Sequence, residues 1–314
     1  MNKRENIVSL LDAGRLQEYV PAAFFLHFDP SCHRGQAAID KHLEYFHYTG
    51  MDFVKIQYEN AFPSLSFIQR PEDWARMPFY GNEFYQPQLD VVEGLVNAAG
   101  AEAPVVVTLY SPFMCAVHSA SSQTLTRHIE EDPDAVNKGM QIITDSLMVF
   151  VRECIRLGVD GFYHSTQGGE AGRFQDSSSF LKCVKPWDLA LMEEIARQCP
   201  FNILHVCDYS SPYSDLTPFL NYPGHVVNCS PRVGDQKLTG QEISRMFGRP
   251  FMGGMDRLGV LATGTVEQAR EEARTILGES PDRFILAADC TVPGNTPWDN
   301  LRTAVEEAHR WKRC

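Results

Sequence analysis

No stretch of the sequence is long and apolar enough to span a bilayer, which excludes a helical membrane anchor within it. The opening residues, Met1-Asn2-Lys3-Arg4-Glu5-Asn6, lead into a segment carrying charges throughout, so the apolar core of a secretory leader is not expected. Positive charge is scarce: 28 Lys and Arg stand against 40 Asp and Glu, a formal charge of -12. Such a chain repels phosphate backbones and anionic membrane surfaces, so neither nucleic acid nor membrane is expected as a partner. Regular cysteine spacing is lacking as well. The nine cysteines are odd in number and scattered, which argues against a disulfide framework and for a reducing, cytoplasmic setting. Internal repeats, low-complexity tracts and linkers are also missing. The 314 residues are 44% hydrophobic and read as one domain, 1–314, able to fill a sizeable core.

Short apolar runs rich in β-branched and aromatic residues recur along the chain. Eight are found: 21–28 (PAAFFLHF), 52–59 (DFVKIQYE), 104–111 (PVVVTLYS), 159–166 (VDGFYHST), 201–208 (FNILHVCD), 225–230 (HVVNCS), 250–256 (PFMGGMD) and 284–291 (FILAADCT). Most are nearly continuous, as strands covered on both faces should be. Helical periodicity fills the intervals. Residues 134–157 place Ile143, Leu147, Val151 and Cys154 on one face before Gly158, and a last helix is expected from Thr296 as cap with Pro297 at its first position. Residues 267–274 (EQAREEAR) read as a solvated helix face. Alternating strands and helices of this number predict an α/β protein, a single (β/α)8 TIM barrel. Proline-rich 61–86 and aromatic 209–223 are expected as loop insertions over its C-terminal mouth. A doubly wound open sheet would want an early glycine-rich phosphate loop, and none is present.

Barrel chemistry is built at the C-terminal ends of the strands. His205-Val206-Cys207 stands out there, because residues two apart in a strand share a face and would both point inward. Cys290, at the end of the eighth run, falls at the same height. One nitrogen and two sulfurs form a ligand set that favours zinc and leaves a fourth position for water or substrate. The triplet alone is a weak signal, since ten His and nine Cys would produce it by chance roughly 0.3 times; position strengthens it. Tyr110, His164, Gln167, Glu170 and Asp256 also end strands or follow them and are candidates for binding substrate, with Glu170 or His164 as an alternative to water for the fourth ligand. Asp256 leans towards holding an adjacent loop. His27 and His118 read as ordinary polar residues, and Cys115, Cys154, Cys183 and Cys199 as packing.

Two long motifs carry a family resemblance. Residues 253–265 (GGMDRLGVLATGT) and 284–308 (FILAADCTVPGNTPWDNLRTAVEEA) resemble the uroporphyrinogen decarboxylase superfamily, with its G-x-x-D segment, G-T helix start and C-x-x-P-x-x-T-P-x-x-N-L ending. Ser111-Pro112-Phe113-Met114 and Leu157-Gly158-Val159-Asp160 are similar to its G-P-F-T and L-G-A-D elements. The resemblance spans nearly the whole chain and implies a (β/α)8 barrel. True decarboxylases of that superfamily carry an arginine-rich R-Q-A-G-R-Y-L-P-E-Y segment and no metal. The corresponding residues 19–28 contain no arginine. The other branch, the methylcobamide:coenzyme M methyltransferases, binds zinc through H-x-C and a distant Cys, a pattern that His205, Cys207 and Cys290 match.

That resemblance implies transfer of a methyl group from a methyl-corrinoid, carried by a corrinoid protein, to a small thiol or a folate, with zinc activating the acceptor. Decarboxylation remains the alternative and would require basic groups at the mouth, for which Arg34, Lys55, Arg232 and Arg257 are the candidates. A non-catalytic metal- or corrinoid-binding protein is the third reading. Oligomeric state is open.

Overall fold

In the computed structural model, described for residues 2–12, 14–15 and 17–312, seven parallel strands form one curled sheet. They are β1 (Val54–Ile56), β2 (Val105–Tyr110), β3 (Gly161–Thr166), β4 (Ile203–Val206), β5 (Val226–Cys229), β8 (Phe251–Met255) and β9 (Phe284–Ala288), in that spatial order. Two further short strands, β6 (Arg232–Val233) and β7 (Gln236–Lys237), form a separate antiparallel hairpin. The hairpin was not expected, although its Gly234-Asp235 turn is a recognisable two-residue signal. The runs that form strands are shorter in the structure than in the sequence, most of them trimmed at both ends, whereas 159–166 loses only its first two residues.

The first run does not form a strand. Residues 21–28 carry two isolated parallel bridges, Ala22 to Leu286 and Leu26 to Val292. On that side Ala23 N–H donates to Leu286 O at 3.0 Å and Val292 N–H to Phe25 O at 2.8 Å. Towards β1 the links are Asp52 N–H to Ala22 O and the side-chain amide of Gln57 to Leu26 O. Pro21 has no N–H to give, and a side chain stands in for a ladder bond, so the pairing is too broken for a strand. The sheet therefore has seven strands rather than eight, in a TIM-barrel-like arrangement whose edges both hydrogen-bond to residues 21–28.

Helices pack outside. Pro133–Leu157 begins at Asp132, whose side chain accepts from Ala135 N–H, and stops at Gly158 in the left-handed region (φ 92°). The last helix, Trp298–Arg310, starts one position later than expected, with Pro297 as its cap residue. Residues 61–86 are not all loop: a short 3-10 helix, Pro71–Arg76, interrupts them, and the helix Asn82–Ala99 has already begun and contains Pro87. Residues 209–223 are irregular apart from a single bridge from Tyr213 to Val233 and the 3-10 turn Thr217–Phe219. No helix among the described residues is long and apolar enough to cross a membrane.

Candidate metal centre

β4 presents Leu204 outward and His205 inward, and the chain continues beyond Val206 in the same alternation, so Cys207 also faces the interior. β9 delivers Cys290 two residues past its end. The three side chains meet: one ligand atom from each lies within 4.8 Å of the others, and all three residues are buried. Cys290 Sγ is 3.3 Å from His205 Nε2 and 4.0 Å from Cys207 Sγ. Tetrahedral bonds of about 2.3 Å set two sulfurs roughly 3.8 Å apart, so the spacing suits a zinc-sized ion. The cluster can hold a metal, and its donors are compatible with zinc.

The two thiols are hydrogen-bonded to each other. A hydrogen bond from Cys290 holds the Cys207 thiol well below its ordinary range, and the same contact pushes Cys290 up. Gln167 Nε2 donates to Cys207 Sγ at 3.4 Å, a further stabilisation of thiolate there. The Tyr163 ring stacks on His205, with centroids 4.8 Å apart and an angle of 29°.

The cluster forms part of the wall of a cavity of about 590 Å³. Tyr110 and Gln167 line it with the three cluster residues; His164, Glu170 and Asp256 do not. His164 is buried on the other face of β3, where its Nε2 lies 3.8 Å from Asp188. Glu170 is held by an ion pair with Arg173 and accepts from Gly168 N–H. Asp256 is exposed and accepts from Leu258 N–H, closing a turn.

His27 and His118 line the cavity, contrary to their reading as ordinary polar residues. His27 stands near the C-terminal end of the run 21–28 and His118 on the helix Pro112–Ser119 that follows β2, positions on the mouth side that could have marked them. His27 Nδ1 is 2.8 Å from Glu59 Oε1. Of the four basic candidates, Lys55 and Arg257 line the cavity and Arg34 and Arg232 do not. Lys55 Nζ donates to Gln57 Oε1 and Thr108 Oγ1, and burial pulls its ammonium down to about 7. Arg257 is already paired with Asp208 at 2.9 Å and Asp289 at 3.0 Å.

Solved structures share the fold. A methyltransferase from Methanosarcina mazei is 14% identical, with 98% of both chains covered and a TM-score of 0.74. A B12-independent methionine synthase from Shewanella sp. W3-18-1 is 12% identical, covering 93% of this chain and 95% of that one, with a TM-score of 0.54. An endo-1,4-beta-mannanase from Rhizomucor miehei reaches a TM-score of 0.50 at 13% identity, with 95% of each chain covered. At these identities the likeness is one of fold. No curated protein matches the sequence. The model of the family described as Uroporphyrinogen decarboxylase (URO-D) matches residues 47–311, and by that match the chain belongs to the uroporphyrinogen decarboxylase family.

Proposed function

We propose that the chain is a zinc-dependent methyltransferase that moves a methyl group from a methyl-corrinoid, carried on a partner protein, to the sulfur of a small thiol. The observation that carries this reading is the convergence of His205, Cys207 and Cys290 on one wall of an open cavity. Three protein ligands leave a fourth position for an acceptor. Bound there, zinc supplies Lewis acidity that lets a thiol bind as thiolate at neutral pH. The M. mazei neighbour is a methyltransferase, and the proposal extends that class of reaction to this chain.

The remaining work falls to the chain's own residues. Gln167 orients the Cys207 sulfur. With Nδ1–H directed at Glu59, the Nε2 of His27 is free to take the proton that an incoming thiol sheds. Tyr209 and Leu258, 75% and 63% exposed, give the cavity an apolar rim suited to a flat, bulky methyl donor. Decarboxylation of a tetrapyrrole with many carboxylates is less well served: Arg257 is engaged by two carboxylates, which leaves Lys55 as the one Lys or Arg without a carboxylate partner among the described residues of the cavity wall.

The test is elemental analysis of the purified protein beside a Cys207→Ala/Cys290→Ala variant, followed by assay of small thiols with methylcobalamin. One zinc per chain, lost in the variant, together with thiol-dependent demethylation, is the expected result. A wild type that takes up no zinc, or that binds it and demethylates methylcobalamin with no thiol and no folate, overturns the proposal. Turnover with a folate acceptor alone would correct the acceptor.

A further inference from the structure

We infer that Tyr163 is the positioning residue for His205, holding the imidazole by ring stacking where a metal-binding histidine is ordinarily held by a hydrogen bond. This rests on the zinc reading of the site, not on methyl transfer. His205 turns Nε2 towards the Cys290 sulfur, so Nδ1 is the nitrogen left over. A ligating histidine usually donates that second N–H to a carboxylate or carbonyl, which fixes both tautomer and ring orientation. Here Nδ1 is buried and no protein group among the described residues hydrogen-bonds to it. What meets the ring instead is the face of Tyr163, 4.8 Å away and 29° from parallel.

Tyr163 is itself tightly held. Its hydroxyl donates to Asn228 Oδ1, and Asn228 spends its two amide hydrogens on Met252 O at 2.8 Å and Ala288 O at 3.0 Å. That chain of bonds joins β3, β5, β8 and β9 behind a ligand carried by β4. The register agrees, because His205 is the direct partner of Ser165 on one side and Asn228 on the other. Lys55 Nζ lies 4.6 Å from the centroid of the same Tyr163 ring, a cation–π contact that further restricts it. The hydroxyl bond fixes where the ring lies, and the near-parallel stack sets its face against the imidazole. The imidazole is thereby aimed by a flat surface fixed from four strands.

The experiment measures zinc affinity by chelator competition, and cobalt(II) spectra, for the wild type, Tyr163→Phe, Tyr163→Met and Phe25→Met. Phe25 packs on Tyr163 and Phe53 and serves as the packing control. Tyr163→Phe keeps the ring and should bind within about threefold of wild type; Tyr163→Met should bind at least about tenfold more weakly, with altered cobalt bands. Phe25→Met should match wild type. Tyr163→Met at wild-type affinity, or Phe25→Met losing as much as Tyr163→Met, overturns the inference. Should Tyr163→Met fail to fold, the zinc-loaded wild type decides by histidine-selective NMR. A far-downfield, slowly exchanging Nδ1 proton on His205, the mark of a strong hydrogen bond, overturns the inference, and a proton without those properties supports it. A wild type that binds no zinc removes the premise, which is a failure of the zinc reading and is read from the wild type alone.

Discussion

Cys290 Sγ lies 3.3 Å from His205 Nε2, although 85 positions separate the two residues in the chain. β4 and β9 are not neighbours in the sheet; β5 and β8 stand between them. In a flat sheet three strand spacings amount to about 14 Å, which no pair of these side chains can bridge. The contact therefore exists only because the sheet curls, and the site reports directly on that curvature.

The Arg257 guanidinium restrains two carboxylates, Asp208 and Asp289, whose side chains are 14% and 11% exposed. Arg257→Met should destabilise the fold by about 2–4 kcal/mol at pH 7, short of the cost for a fully buried pair. Urea denaturation measures it. The triple variant with Asp208→Asn and Asp289→Asn should recover most of the loss, because it removes the unpaired charge as well.

His42 is locked in its neutral form by two bonds of opposite sense. Nδ1–H donates to Ala38 O at 2.8 Å, and Nε2 accepts from Gln57 N–H at 3.3 Å. Burial pulls its pKa from the ordinary 6.5 to about 4. Between those values the unfolded chain binds the proton first, so this contribution is complete above pH 6.5 and is lost as pH falls towards 4. Stability measured across that window should drop more steeply for the wild type than for His42→Gln. Equal slopes would show that His42 is not the group responsible.

Gly161 opens β3 where the backbone of Phe201 passes close by. A Cβ there would stand 1.8 Å from Phe201 O, a contact that only backbone displacement can relieve. Gly161→Ala should cost more than about 4 kcal/mol or abolish soluble expression. Gly172→Ala, at φ 70° with open space around it, should cost only about 1–2 kcal/mol. Thermal melts of the two variants make the comparison.

What could be read from the sequence followed from periodicity. The pairing of His205 with Cys207 rests on the alternation of a strand, and the seven strands of the sheet fall within apolar runs. The misplacement of His164 has a physical origin in the same rule. β3 is buried on both faces, so no polar and apolar alternation marks which residues turn inward, and Tyr163 and Ser165 took the inner side. Glu170 was intercepted by Arg173, three residues on, an attraction that the spacing EAGR already contains. His27 reached the cavity because residues 21–28 keep their place between the sheet edges while lacking a strand's bonds. Lys55 sits in the middle of an apolar run, and nothing local shows that two aromatic rings will accept its ammonium, Phe25 and Tyr163, each 4.6 Å away.

The bonding of residues 21–28 to 284–292 also sets an order of events during synthesis. A nascent chain that has emerged only as far as β8 holds His205 and Cys207 but lacks Cys290, the second sulfur, and the backbone that residues 21–28 need. Completing the sheet and completing the ligand set thus depend on the same final stretch. A prematurely terminated copy would lose both at once, so no incomplete translation product could present the whole His205, Cys207 and Cys290 cluster.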